Sequence, residues 1–230
     1  MPSETEQRNL DELLAAMRAP CAETFDGANY LNAEFAQEFR AAIAIHHYYL
    51  RATLGTNFFE AAFKKAAIAA GHDLRSAPEG GRFWDIELDG KKVSLKSSAA
   101  ASMRVGKLHI SKLCEAAWIQ DVRGAAARES ATKSLFAEYV SVVDSIIQLR
   151  YFRSAQTYEM VQIPSKLLSQ VAAVPRSEFA PDGPTIGIPV GQEIPDFTLK
   201  LDRSDAKVTL ANINKDACRV LGSWRLQPPQ

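Results

Sequence analysis

The chain has 230 residues, 47% of them hydrophobic, and its 27 lysine and arginine side chains balance 27 acidic ones. A chain of this length and composition can bury a core without disulfide or metal cross-links. The cysteines, Cys21, Cys114 and Cys218, are too far apart for a disulfide framework, and none forms the CxxC pair that is typical of zinc sites.

The N-terminal sequence is polar and acidic and lacks the apolar segment of a secretion signal. The chain also contains no apolar run of about eighteen residues, the length that predicts a membrane-spanning helix. We therefore expect a cytoplasmic protein.

Charge is unevenly distributed along the chain. Residues 91–153 contain eleven Lys or Arg against five Asp or Glu, whereas residues 1–30 contain six acids against two arginines. A basic middle segment is compatible with a surface that faces phosphate groups, although solvated helix faces produce the same pattern.

Helical periodicity dominates the first seventy residues and returns after the middle of the chain. A short apolar stripe runs from Leu10 to Met17, and further helices are predicted over 35–54 and over 58–70, where Gly71 ends the pattern. Two more helices are predicted over 111–121 and 125–152, and a short one over 165–171.

Strand patterns begin at position 82. Residues 83–88 alternate in polarity, Asp89-Gly90 follows, and residues 92–96 alternate again, which predicts a hairpin because the favoured turn needs positive φ at both central positions. Further strands are predicted over 158–163, 185–190, 196–212 (with a turn near Ser204-Asp205) and 219–226. We therefore expect an α+β fold, a central mixed sheet flanked by helices with a strand-rich C-terminal part.

A two-residue loop at Asp89-Gly90 determines which side chains share a face of the hairpin. Directly paired residues lie on the same side, so two carboxylates and two lysines gather on one face. That polar face is predicted to hold Phe83, Asp85, Glu87, Lys92, Ser94 and Lys96, and the opposite core face Trp84, Ile86, Leu88, Val93 and Leu95. An ordinary solvent-exposed hairpin with alternating charges would show the same alternation.

Asp85 followed nine residues later by the triplet Ser94-Leu95-Lys96 resembles the signature of the PD-(D/E)xK nucleases, in which an acid on one strand precedes (D/E)-x-K on the next. Glu60, on the helix before the hairpin, has a place similar to an additional glutamate of that family. The resemblance covers residues 57–120. It implies a restriction-endonuclease-like fold.

Ser94 departs from this pattern, since the family has Asp or Glu before the x-Lys pair. Some members obtain the missing carboxylate from the following helix, and Glu115 on the predicted helix 111–121 has a similar placement. Glu87, beside Asp85 on the same face, is the alternative source. Glu115 is slightly favoured, because Glu87 opposite Lys92 fits a simple cross-strand ion pair.

The resemblance implies a Mg²⁺-dependent endonuclease that hydrolyses phosphodiester bonds of double-stranded DNA. Asp85 with Glu115 or Glu87 would bind the metal, Lys96 would serve the attacking water or the phosphate, and Glu60 would complete the outer ligand set. A type II restriction enzyme is the main expectation. A repair or self-DNA-degrading nuclease, or a non-catalytic nucleic-acid-binding protein, is the alternative.

We expect one nuclease domain over 1–230, with N-terminal helices at 1–56, a catalytic core at 57–121, a long helix at 122–155 and a strand-rich part at 156–230. The last part contains Arg203 and Lys207 and is predicted to contribute target recognition, because Arg, Lys and Asn side chains can pair with base edges. A homodimer is expected, with the helix over 125–152 offering an apolar face to core and partner.

Overall fold

The computed structural model describes residues 1–27 and 31–227 and forms two β-sheets with flanking helices. The helices are α1 (Glu4–Arg18), α2 (Ala33–Ala44), α3 (Thr56–Ala69), α4 (Trp118–Asp121) and α5 (Ala125–Val142), with a π-helical turn at Ile45–Tyr49 and 3₁₀ helices at Ser165–Ala173, Arg176–Phe179 and Lys215–Ala217. The strands are β1 (Cys21–Phe25), β2 (Leu74–Ser76), β3 (Ile86–Leu88), β4 (Lys91–Ser98), β5 (Lys107–Glu115), β6 (Ser145–Phe152), β7 (Thr157–Pro164), β8 (Thr185–Gly191), β9 (Pro195–Asp202), β10 (Lys207–Asn214) and β11 (Arg219–Leu226).

The larger sheet has seven strands in the order β1-β11-β7-β6-β4-β3-β2, and the smaller has four in the order β5-β10-β9-β8. Strands β4 and β6 run parallel, with Val93 opposite Ser145 and Ser98 opposite Arg150. The other strand pairs in the described residues are antiparallel. The larger sheet is therefore mixed, and the molecule is α+β.

Each face of the larger sheet covers its own hydrophobic cluster. On one face, α2 and α3 contribute Phe35, Phe39, Phe59 and Phe63, which pack with Trp224 of β11. The opposite face packs on α5 and on the smaller sheet. Strand β6 is buried along almost its whole length because both of its faces are covered.

The hairpin prediction is confirmed in its register and in its turn. Ile86 lies opposite Val93 and Leu88 opposite Lys91, with Asp89 at φ 48° and Gly90 at φ 77°. The core face holds as predicted for Ile86, Leu88, Val93 and Leu95.

Trp84 does not lie on that core face, contrary to the prediction. The residues before Ile86 are not in a strand, and Phe83 has a φ of 78°, so the strict alternation stops there. Trp84 packs instead toward the cluster on the other face, under the Lys92 ammonium at 5.4 Å from the ring centroid.

Three predicted helices are wrong in part. The range 111–121 begins with the end of strand β5, which runs to Glu115, and only the short α4 follows. The helix that begins at Ala125 ends at Val142, and β6 takes the rest of the range 125–152. The predicted helix over 35–54 is also shorter, because α2 ends at Ala44 and continues only into the π-helical turn.

The remaining predicted elements are confirmed in type, including α3, β7, β8 and β11, and the strand predicted over 196–212 is the β9–β10 pair. The described cysteines are free thiols. None of the helices that the structure describes is both long and apolar enough to cross a membrane.

Candidate active site

The Asp85 side chain is fixed at the entry of the hairpin. Its backbone N–H donates to the Val93 carbonyl at 2.9 Å, and its carbonyl accepts from the Ala77 N–H at 2.9 Å. The carboxylate oxygen Oδ2 accepts hydrogen bonds from the Leu95 N–H at 2.6 Å and the Ser94 hydroxyl at 3.2 Å. These bonds orient the carboxylate while a third of the side chain stays exposed.

Lys96 approaches the same carboxylate. Its Nζ lies 3.9 Å from Asp85 Oδ2, and the two side chains are 23% and 33% exposed. That separation is longer than a direct hydrogen bond, so the ammonium can still donate to a water or to an oxygen of a bound phosphate. The structure thus brings together the acid and the lysine that the sequence pattern singled out.

Ser94, the residue that departs from the family pattern, is fully buried beneath this pair. Tyr139 of α5 lies beside it: burial raises the pKa of the Tyr139 phenol, the neighbouring Ser94 hydroxyl lowers it, and the Asp85 carboxylate raises it further. The phenol is therefore neutral at physiological pH. Sequence reasoning did not identify Tyr139 here, because its apolar spacing marked it only as a core residue.

Cys114 of β5 lies close to the candidate pair. Burial raises the pKa of its thiol to about 11, while the charges of Arg82 and Lys96 act in the opposite direction. The thiol therefore stays protonated at neutral pH and is a poor nucleophile. Arg82 Nη1 donates to both carboxylate oxygens of Glu138, at 2.8 and 2.9 Å. Sequence spacing could not predict that this ion pair lies near Cys114.

The three glutamates predicted for the site occupy different environments. Glu115 ends β5, not a helix, and its carboxylate is 78% exposed and accepts from Lys112 at 2.6 Å. Glu60 lies on α3, the helix that packs on the other face of the sheet, and bonds to Lys64 at 2.5 Å.

Glu87 is half-buried on β3, between Arg75 and Lys92 in register. The sequence suggested a cross-strand ion pair between Glu87 and Lys92. In the structure the Lys92 ammonium lies over the Trp84 ring instead. Ile86 and Leu88 face the helices, so Glu87 projects to the same side of the sheet as Ser94.

A metal ion would find few preformed protein ligands here. In the described part of the chain, no group of three or more His, Cys, Asp or Glu side chains is arranged to hold a metal. In that part, the hydrogen bonds and the ion pair of the Asp85 carboxylate all involve Oδ2, and a third of the side chain is exposed. Such a sparse oxygen site fits Mg²⁺, which keeps several waters and binds through one or two carboxylates together with substrate phosphates.

Arg203 and Lys207 are predicted to read the target. Arg203 follows β9, Lys207 begins β10, and both are paired with acids. Arg203 forms an ion pair with Asp182 and is 16% exposed, and Lys207 pairs with Asp205 and, at 3.7 Å, with Asp202. Their role in recognition stays a prediction.

Comparison with known proteins adds to this geometry. A family model described as SmaI, type II site-specific deoxyribonuclease, matches residues 20–226. The chain belongs to the SmaI family. The type II restriction enzyme SmaI of Serratia marcescens is 27% identical over 215 residues, covering 86% of this chain and 83% of that enzyme. No solved structure matches the chain.

Membership of the SmaI family makes this protein an endonuclease of the type II site-specific class. The match contains the hairpin, β5, α5 and the C-terminal strands, so both the candidate catalytic pair and the predicted recognition strands lie inside the family region.

Proposed function

We propose that this SmaI-family protein is a Mg²⁺-dependent restriction endonuclease that cleaves duplex DNA at a site built on Asp85 and Lys96. The observation that carries the proposal is that Lys96 Nζ lies 3.9 Å from the Asp85 carboxylate, which the Leu95 N–H holds in place and which is one third exposed. The PD-(D/E)xK assignment of the site belongs to the same proposal.

In this site Asp85 would be the principal ligand of Mg²⁺, and Glu87 or Glu115 would supply a second carboxylate. The chemistry supplied by bound Mg²⁺ is neutralisation of phosphate charge and activation of water. Lys96 orients the attacking water or stabilises the charge that grows on the phosphate. Ser94 and the Leu95 N–H keep the Asp85 carboxylate in position, and Glu60 belongs to the outer set of polar groups.

The partner is double-stranded DNA, as the site-specific deoxyribonuclease class implies. We include a homodimer in the proposal, because two antiparallel strands present their phosphates with twofold symmetry and each chain has one Asp85–Lys96 pair. A cytoplasmic location stays a prediction.

Plasmid cleavage tests the proposal. Purified protein is incubated with supercoiled plasmid in Mg²⁺ or in EDTA, and the products are separated by electrophoresis and mapped by sequencing. Discrete linear fragments with Mg²⁺ and intact plasmid with EDTA are expected.

In the same cleavage assay, Asp85→Asn is compared with a control variant, Lys65→Ala. Lys65 lies on α3 and pairs with Glu38, away from the hairpin. Equal cleavage by wild type, Asp85→Asn and Lys65→Ala would overturn the site assignment, and cleavage in EDTA would overturn the metal requirement.

A further inference from the structure

A polar pocket of about 230 Å³ opens between the larger sheet and the segment that leads into β5. Its floor contains Ser98, Gln148 and Arg150 of β4 and β6, and its wall contains Arg104, Lys107 and Asn212.

The pocket adjoins the proposed cleavage site. Lys96 is in register with Gln148, and Ser98 is in register with Arg150, so these side chains project from the same face of the sheet. The step from Lys96 to Ser98 advances about 6.6 Å along the strand. A ligand in the pocket would therefore lie next to whatever Lys96 contacts.

The pocket carries an excess of positive charge. Arg150 is 1% exposed and bonds to Glu159 at 2.9 Å, and Lys215 bonds to the same carboxylate at 2.5 Å, so one negative charge faces two positive ones. The other Arg150 donors are used by the carbonyls of Val105, Lys107 and Arg104, which anchors the wall of the pocket.

The cations of the wall add to this excess. In the described residues, neither Arg104 nor Lys107 forms an ion pair with a carboxylate. Arg104 instead contacts the neutral amide of Asn212, which has a φ of 57° within an irregular stretch of the β10–β5 pairing. Bulges of this kind re-aim side chains and are enriched beside active sites.

Gln148, which lines the pocket, contributes an unsatisfied polar atom. The residue is 1% exposed, and its Nε2 donates to the His109 carbonyl at 2.7 Å. Only the NH₂ end of the amide can donate to a carbonyl, so Oε1 must point the other way. That oxygen is buried and has no hydrogen-bond partner in the described part of the chain. An unsatisfied buried acceptor is unfavourable, so a donor from a bound water or ligand is expected against it.

We propose that this pocket is a phosphate-binding subsite for the DNA strand next to the phosphodiester that is cleaved. Arg104 and Lys107 face the phosphate oxygens, Arg150 and Lys215 supply the positive field beneath them, and Gln148 Oε1 holds a water that bridges to the phosphate. The choice of ligand rests on the proposed function.

DNA binding measured without metal tests this subsite independently of cleavage. Affinity for a fluorescent 20-base-pair duplex of arbitrary sequence is measured by anisotropy in EDTA at several salt concentrations, for wild type, Arg104→Ala, Lys107→Ala and the control Lys65→Ala. Each pocket variant should bind about threefold to tenfold more weakly, and the slope of log affinity against log salt should become shallower by about 0.9 for each lost phosphate contact. Lys107→Arg and Lys65→Ala should keep the wild-type affinity.

Three outcomes overturn the subsite. Wild-type affinity and salt slope in both alanine variants would show that the pocket makes no phosphate contact. A loss confined to a duplex that carries the cleaved sequence would assign the pocket to base reading, since phosphate contacts are sequence-independent. A reduced melting temperature in both alanine variants and in Lys107→Arg would assign these side chains to the fold.

The two proposals can fail separately. If the wild type cleaves while the variants bind normally, only the subsite fails; if the wild type neither binds nor cleaves, the proposed function fails as well.

Discussion

Ser94 stands where the family pattern has a carboxylate, and its hydroxyl is buried against Asp85. A buried serine can orient the acid beside it but brings no negative charge to a cation. The second charged oxygen ligand must then come from another element, or the substrate phosphate must take that place. This single residue therefore leaves Asp85 as the carboxylate that the family pattern itself provides.

The second carboxylate can be identified by comparing Glu87→Ala with Glu115→Ala. Glu115 would have to leave Lys112 to reach a metal at Asp85, whereas Glu87 already projects to the Ser94 face. We expect Glu87→Ala to weaken Mg²⁺ binding and cleavage more than Glu115→Ala does, as measured by titration calorimetry and plasmid cleavage.

Glu79→Ala, at an exposed loop position, controls for loss of a negative charge alone. A larger loss in Glu115→Ala would assign the second carboxylate to Glu115, the residue that the sequence slightly favoured. Wild-type Mg²⁺ affinity in both variants would leave Asp85 as the one carboxylate ligand.

Lys96→Ala tests the other half of the pair. Removing an electrostatic donor at a reacting phosphate costs about 10²–10³-fold in kcat. The side chain is partly exposed and its one ion-pair contact, at 3.9 Å, is long, so stability should change by less than about 0.5 kcal/mol. Single-turnover cleavage and thermal melting are compared with those of Lys92→Ala, on the same hairpin. Full activity of Lys96→Ala with an unchanged melting curve would remove Lys96 from the site.

At the scale of elements, the success of the hairpin prediction and the failure of two helix predictions have different physical causes. Asp89-Gly90 determines a turn locally, so the register of Asp85 and Lys96 follows from neighbouring residues. Strand β6 is covered on both faces, and its run of apolar residues fits a buried strand and a helix equally well.

The sequence pattern did not predict strand β5, for a different reason. Its alternation is interrupted at Ser111-Lys112, where the pairing with β10 shifts register between Val208 and Leu210. The contacts around Cys114 and Gln148 come from these segments, so the sequence could predict that Asp85 and Lys96 lie close together on one hairpin but not what surrounds them.

The π-helical turn at Ile45–Tyr49 predicts an acid sensitivity of the fold. Burial lowers the pKa of His46, and burial together with Arg51 lowers the pKa of His47. A histidine with a lowered folded-state pKa binds protons more readily when unfolded, so stability is retained at neutral pH and falls as pH drops through the unfolded value near 6.5.

Melting temperatures between pH 8 and pH 5 should therefore decline below about pH 6.5. The double variant His46→Asn, His47→Asn should show a weaker decline over the same range, because His109, whose pKa is also lowered by partial desolvation and by Lys200, retains part of it. A wild-type profile that is flat, or a variant profile identical to the wild type, would contradict this prediction.

The β9–β10 pair is predicted to contribute to target recognition, and its cations are held by acids in the free protein. To recognise bases, Arg203 and Lys207 must release their carboxylate partners and form hydrogen bonds to base edges. The double variant Arg203→Ala, Lys207→Ala should relax or reduce sequence preference while leaving Mg²⁺ affinity unchanged, as shown by sequencing the ends of cleaved plasmid libraries.

Asp182→Asn is the control for that experiment, because it removes a partner of Arg203 and leaves both cations in place. Loss of preference in the double variant but not in Asp182→Asn supports recognition. Identical cut sites and rates in the double variant would place recognition elsewhere, with the basic segment 91–153 as the next candidate.

For the whole molecule, the placement of charge explains how a neutral chain can engage DNA. Lys96, Arg104, Lys107 and Arg150 all belong to the basic segment 91–153, and the fold gathers them around one face of the larger sheet and the adjoining pocket. A local positive field of this kind attracts phosphates even when the net charge is zero.

The expected homodimer cannot use the apolar face of α5. Leu135, Phe136 and Tyr139 are buried in the core of their own chain, and the exposed side of the helix is polar or small, as at Ser134 and Ala137. A dimer must therefore use another surface, and the proposal rests on the symmetry of the substrate.

Cleavage kinetics and light scattering test the dimer together. A symmetric pair of sites should convert supercoiled plasmid to linear product with little nicked intermediate, and the mass in the presence of duplex DNA should be twice that of the chain. Mixing wild type with an excess of Asp85→Asn protein should then accumulate nicked circles, because mixed dimers cut one strand only. A monomer at every concentration, with and without DNA, and no nicked product in the mixture would remove the dimer and require one Asp85–Lys96 pair to cut the two strands in turn.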